Sequence, residues 1–185
     1  NQLSDAFDGD TIRTDIWANN GRGSVTVDGG FAYFGCFGSV STRGRQYFQG
    51  EKIVVEVRMA GQDYIRDTWA SLEDVTGAGV LHFGDTTYPL NPSFGFYSYG
   101  TGSYSSQQQV TYNSTPSFKE YRLTVSGTTA TFERGDTLDS ITESMVHTLP
   151  MSISGRSFFL SIGTGGPDYC PGTFDWVRVF VSKKP

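Results

Sequence analysis

The sequence lacks any apolar run of about 18 residues, the length a bilayer-spanning helix needs, so membrane insertion is not expected. It also lacks clustered basic residues: ten of its 14 basic side chains are arginines scattered among polar positions, and the only adjacent pair is Lys183 and Lys184. With a formal charge of -5 and a pI near 4.9, it offers no basic stripe for a phosphate backbone, and no nucleic-acid partner is expected. There are two cysteines, Cys36 and Cys170, without a CxxC spacing, which argues against a structural zinc site. Sequence separation leaves them as either one disulfide or two buried thiols. No stretch of ten residues combines helical periodicity with a cap, and no fixed-period repeat is visible, which removes helical bundles, solenoids and propellers.

What the chain does have is 14 Phe, 10 Tyr and 3 Trp, punctuated by 23 Gly, the composition of short strands joined by tight turns. Period-two alternation predicts strands at Ser24 to Val27, Phe31 to Phe37, Ile53 to Met59, Thr68 to Val75, Gly79 to Phe83, Ser93 to Tyr99, Gln109 to Tyr112, Phe118 to Val125, Thr129 to Arg134, Ser157 to Gly163 and Phe174 to Val181. Asp136 to Val146 is expected to be strand or loop, and the Tyr97 to Gln109 stretch a strand end and an exposed loop. The reading is all-β: a two-sheet antiparallel β-sandwich forming one domain over 1–185, with 183–185 as a linker stub. A start at Asn1, without an initiator Met, is read as a processed module of a larger extracellular or cell-surface protein. A sequon at Asn113 to Thr115, followed by Pro116, would matter only in a eukaryotic host.

The run FKEYRLTVSGTTATFER, Phe118 to Arg134, is a tight hairpin turning at Gly127, with Tyr121, Leu123, Val125, Ala130 and Phe132 facing inward. In the closing FDWVRVFV, strict alternation puts Phe174, Trp176, Arg178 and Phe180 on one face and Asp175, Val177, Val179 and Val181 on the other. Together with Phe-Asp-Gly at Phe7 to Gly9 and the VEVRM strand, this pattern resembles the concanavalin A-like lectin/glucanase superfamily, LamG-like and carbohydrate-binding jelly-roll modules included. The resemblance implies a jelly roll with one convex and one concave sheet and carbohydrate bound on the concave face or its loops. Lectins, binding modules, adhesion modules and enzymes share that fold, so fold does not fix function.

The glucanases of the superfamily carry a Glu-x-Asp-x-x-Glu strand, and this sequence has no such run. Neither His82 nor His147 sits in the Gln-x-His context of alginate-lyase relatives, and no Gly-x-Ser-x-Gly elbow or phosphate loop is present. Strand parity supplies a weaker constellation. With Ile53, Val55, Val57 and Met59 inward, Glu56 and Arg58 face away; with Thr68, Ala70 and Leu72 inward, Trp69, Ser71 and Glu73 do; Tyr97 and Tyr99 follow. If these strands are neighbours, Glu56, Arg58, Trp69, Glu73, Tyr97, Tyr99 and Gln109, with Gln107, make a face on which rings cover sugar C–H patches and polar groups bind hydroxyls. The alternative for this face is an ordinary solvated sheet surface. Asp8, Asp10 and Asp175 could supply oxygen ligands to a structural calcium, as in many relatives, or be turn and backbone-bonded aspartates.

The leading expectation is therefore a non-catalytic module that binds a polysaccharide or glycan within a larger chain and requires no cofactor. The alternatives are a glycoside hydrolase or polysaccharide lyase using Glu56 and Glu73 as a carboxylate pair, and a structural or adhesive module.

Overall fold

A computed structural model describes residues 2–61, 68–86, 93–99, 104–109, 118–149, 151–165 and 171–182, with 61, 85–86, 93–99 and 104–109 defined through their backbone pairing. In chain order the strands are β1 (Gln2–Asp5), β2 (Ala18–Asn19), β3 (Val25–Asp28), β4 (Phe31–Phe34), β5 (Ser39–Ser41), β6 (Lys52–Gly61), β7 (Thr68–Asp74), β8 (Val80–Thr86), β9 (Ser93–Tyr99), β10 (Tyr104–Gln109), β11 (Lys119–Ser126), β12 (Thr129–Gly135), β13 (Ile141–Thr148), β14 (Phe158–Thr164) and β15 (Gly172–Ser182). They form two antiparallel sheets. One is eight-stranded, in the order β13-β12-β11-β6-β15-β4-β3 with β1 paired to β15; the other is seven-stranded, in the order β10-β9-β8-β7-β14-β5-β2.

Alternation drives this arrangement. In β6, Ile53, Val55, Val57 and Met59 are buried while Val54, Glu56 and Arg58 are only part-buried, and β11 and β12 repeat the pattern with Tyr121, Leu123, Val125, Ala130 and Phe132. The opposing sheet contributes Ala70, Leu72, Leu81, Phe83, Leu160 and Ile162 to the same core. Phe83 of one sheet meets Phe132 of the other edge to face, ring centroids 5.1 Å apart, the offset geometry aromatic quadrupoles favour. The β11–β12 hairpin closes through a two-residue turn, with Gly127 at φ +56°, a value glycine adopts without a Cβ clash.

Three details differ from the alternation pattern. Asp136 to Val146, open between strand and loop in the sequence, contains most of β13. The strand expected at Gln109 to Tyr112 ends where it should begin, because β10 covers Tyr104–Gln109 within the stretch expected as loop; 110–112 lie outside the described residues. In β15 the register shifts between Phe174 and Trp176. Asp175 is the extra residue of a β-bulge, which reverses the parity beyond it. Phe174, Val177 and Val179 are consequently buried together, while Trp176, Arg178 and Phe180 face outward.

Candidate functional site

The outer face of the eight-stranded sheet is a lattice of paired charges. Register sets Glu56 of β6 between Arg122 of β11 and Arg178 of β15. Arg122 Nε donates to Glu56 Oε1 at 3.0 Å, and its Nη1 donates to Glu133 Oε2 at 3.3 Å. Burial works against the Arg122 charge, but the two carboxylates outweigh it and raise its pKa. Arg58 donates to Asp175, lies 3.9 Å from Glu120 Oε1, and covers the Phe118 ring at 4.8 Å. Arg178 stacks over Trp176 at 4.3 Å.

Glu56 and Arg58 therefore do not share a surface with Trp69 and Glu73. The single face expected from strand parity is split because β6 belongs to one sheet and β7 to the other; parity reports which way a side chain points, not which sheet carries it. The Glu56 and Glu73 carboxylate pair is excluded on the same ground.

The outer face of the seven-stranded sheet is a different surface, and its register lines residues into transverse rows. One row runs Ser105, Tyr97, His82, Ser71, Ser161, Ser41. The next, toward the start of β7, runs Gln107, Gly95, Gly84, Trp69, Gly163, Ser39, and the row on the other side contains Tyr99, Val80, Glu73 and Phe159. Gln109, at the end of β10, pairs with Ser93. Tyr97, Tyr99 and Gln109 thus belong to the sheet of Trp69 and Glu73, as register positions.

Trp69 stands between two glycines in its row. A Cβ built on Gly163 would come within 3.0 Å of Trp69 Cζ2, so the indole lies over that bare backbone. The same ring meets the His82 imidazole, centroids 4.9 Å apart and planes 39° from parallel. One residue pair further along β7, Ser71 Oγ donates to Glu73 Oε1 at 3.1 Å. Desolvation by the surrounding protein disfavours the imidazolium and pushes the His82 pKa down to about 4. His82 was not among the candidates read from the sequence, although the same period-two rule applied to β8 selects it with Val80.

Asp8, Asp10 and Asp175 do not assemble. Asp175 is taken by Arg58, Asp8 and Asp10 are exposed, and among the described residues no group of three or more His, Cys, Asp or Glu could hold a metal ion. The three carboxylates expected to share a calcium therefore do not form such a group among the described residues. The N-terminal turn is held instead by Asp5, which ends β1 beside Val177 and is 4% exposed. Its carboxylate accepts from Trp17 Nε1 at 2.7 Å and from the Phe7 amide at 3.0 Å. Cys36 is disulfide-bonded. Cys170, the sequon and 183–185 lie outside the described residues.

No protein-family model and no curated protein matches this chain. Solved structures do. An endo-β-1,3-glucanase from Pyrococcus furiosus aligns with a TM-score of 0.71 and 10% identity over 96% of this chain and 92% of that one. A laminarinase from Flavobacterium sp. UMI-01 aligns at 0.69 and 13% over 96% and 98%. An immunostimulatory antigen and pseudo-β-1,3-glucanase of Mycobacterium tuberculosis aligns at 0.69 and 17% over 97% and 98%. The chain has the concanavalin A-like jelly-roll fold. Against these neighbours, the expectation of a non-catalytic binding module, and with it of a protein more likely not to be an enzyme, is corrected. Glucanases and glycosyl hydrolases recur among the similar structures, which favours the alternative of glycoside hydrolysis.

Proposed function

We propose that the chain is a glycoside hydrolase acting on a β-1,3-linked glucan laid across the outer face of the seven-stranded sheet. The observation that carries this reading is the strip on β7 and β8, where an indole platform, a carboxylate and a neutral imidazole share one face. Trp69 receives the apolar face of a pyranose. Glu73 acts as the acid that protonates the leaving oxygen, and His82 as the base that takes a proton from water. Glu73 is cross-strand partner to Val80, which makes His82 its diagonal neighbour, a spacing of roughly 7–8 Å between backbones. Inversion requires about 6.5–9.5 Å between the two proton-handling groups themselves, room for a water between them. The glucanases among the structural neighbours support the substrate class, and the disulfide at Cys36 suits an oxidising, extracellular compartment.

The test is reducing-end release from laminarin and a panel of β-glucans between pH 4 and 8, with the anomeric product followed by NMR. Release with inversion, abolished in Glu73→Gln, is the expected result. No release from any glucan by the wild-type protein overturns the reading.

A further inference from the structure

Among the described residues, two that are not glycine have a left-handed backbone: Phe7 at φ +51° and Phe37 at φ +59°. An aromatic side chain in this region is strained, at roughly 1–3 kcal/mol each. Phe7 has an evident compensation. It is 3% exposed, packed 6.4 Å from Trp17, and its amide is bonded to Asp5. Phe37 has no such compensation, because its ring is 48% exposed. The position combines backbone strain with apolar exposure, where Asn or Gly would relieve both.

The fold nevertheless holds Phe37 firmly. Its amide donates to the Gly165 carbonyl at 2.9 Å, and its own carbonyl accepts from Arg22 and Gly23, both at 3.1 Å. Gly21 packs so closely that an added Cβ would lie 2.4 Å from the Phe37 oxygen, and one on Gly23 would lie 2.0 Å from the Cys36 oxygen. The neighbouring Cys36 is itself tied by a disulfide. Gly165 follows the last residue of β14, and Ser39, two residues after Phe37, pairs with Gly163 in the row of Trp69. Phe37 therefore sits at the rim of the seven-stranded sheet, at the end where Trp69 lies. Two strand spacings separate β7 from β5, about 10 Å across the sheet.

We propose that Phe37 is a specificity-determining aromatic platform that receives the extended part of a bound polysaccharide, one step outward from Trp69. This rests on the proposed glucan-hydrolase reading and deepens it: the substrate class becomes a long chain rather than a short oligosaccharide. A rigid, preorganised ring costs little entropy on binding, which accounts for a strained and exposed phenylalanine held by a disulfide and a glycine collar.

The experiment compares wild type, Phe37→Asn and Phe37→Tyr for KM and kcat on laminarin and on a short β-1,3-oligosaccharide, with melting temperatures measured in parallel. Phe37→Asn should raise KM for the polymer about five- to tenfold and change kcat and the short-substrate KM less than about twofold. It should melt no lower than wild type, because Asn tolerates the left-handed region. Phe37→Tyr should keep the polymer KM. An unchanged polymer KM in Phe37→Asn overturns the inference while leaving the hydrolase reading intact. So does a loss of melting temperature that Phe37→Tyr restores, since that marks a structural role. Inactivity of the wild-type protein on both substrates is instead the failure of the hydrolase reading.

Discussion

The Trp69 indole and the His82 imidazole lie 4.9 Å apart, centroid to centroid, on adjacent strands of the seven-stranded sheet. The contact ties a sugar-sized apolar platform to a titratable group whose charged form the site resists. Protonating His82 would place a cation against the ring, a favourable cation–π contact, but burial wins and keeps the pKa near 4.

Stability should therefore depend on pH through this residue. An unfolded imidazole titrates near 6.5, whereas the folded one stays neutral down to about 4. Between those values the unfolded chain binds more protons, so stability increases as pH rises across the window. His82 is part-buried at the surface, so solvent screens part of the effect and about 1–2 kcal/mol remains. His147, also held below its ordinary value by burial, acts in the same direction. Melting temperature against pH should be flatter for His82→Gln than for wild type between pH 4 and 6.5; equal slopes would show that His82 does not carry the effect.

Asp74 anchors the turn between β7 and β8. Burial opposes its ionisation, but the hydroxyl and amide of Thr76 and the Arg156 guanidinium outweigh that and lower its pKa. The amide donates at 2.7 Å and Arg156 Nη1 at 2.8 Å. Asp74→Asn should destabilise by about 2–3 kcal/mol at pH 7, because one buried acceptor is lost and Arg156 is left uncompensated. The contribution is present above the ordinary carboxylate range and fades as pH falls below it, so denaturant midpoints of wild type and variant should draw together as the pH is lowered through and below that range.

Glu56 and Glu73, which lie on different sheets, should respond differently to substitution. Glu73→Gln should reduce kcat on glucan by about 100-fold or more, the scale of a lost proton-transfer group. Glu56→Gln should leave kcat unchanged, because Glu56 pairs with Arg122 on the opposite side of the sandwich. Loss of activity in Glu56→Gln with retained melting temperature would reverse the assignment of the two faces.

Gly163→Ala should damage both stability and binding. Its Cβ would meet the Gly38 carbonyl oxygen at 2.6 Å and Trp69 Cζ2 at 3.0 Å. Backbone cannot withdraw as a flexible side chain can, so about 1–3 kcal/mol of overpacking is expected. The indole must also tilt, raising KM for glucan. An unchanged KM would mean that the posture of Trp69 does not matter to the substrate.

Much of the fold was legible because alternation is a local property. Ile53 to Met59 and Phe118 to Arg134 show their buried faces in the sequence, and Ala70 and Leu72 of β7 lie in the core as their alternation implies. The site was less legible, since grouping strands into sheets depends on pairing between distant segments. Nothing within β6 or β7 tells that Glu56 and Glu73 lie back to back. The positive φ of Phe37 and the Trp69 posture over Gly163 are likewise tertiary: each depends on a backbone brought in from elsewhere in the chain.

The extra residue at Asp175 has a consequence for how this chain could change. A strand reads in two beats, and the bulge is a dropped beat that resets the rhythm of the last strand. Removing that single residue would leave Phe174 opposite Met59 and Trp176 opposite Arg58 as successive pairs, so the strand would alternate regularly with Val177 and Val179 still buried and Arg178 still outward. The surplus residue is thus free of the ladder and available to Arg58: Asp175→Asn and deletion of the residue both lose that ion pair, and neither turns the closing strand over.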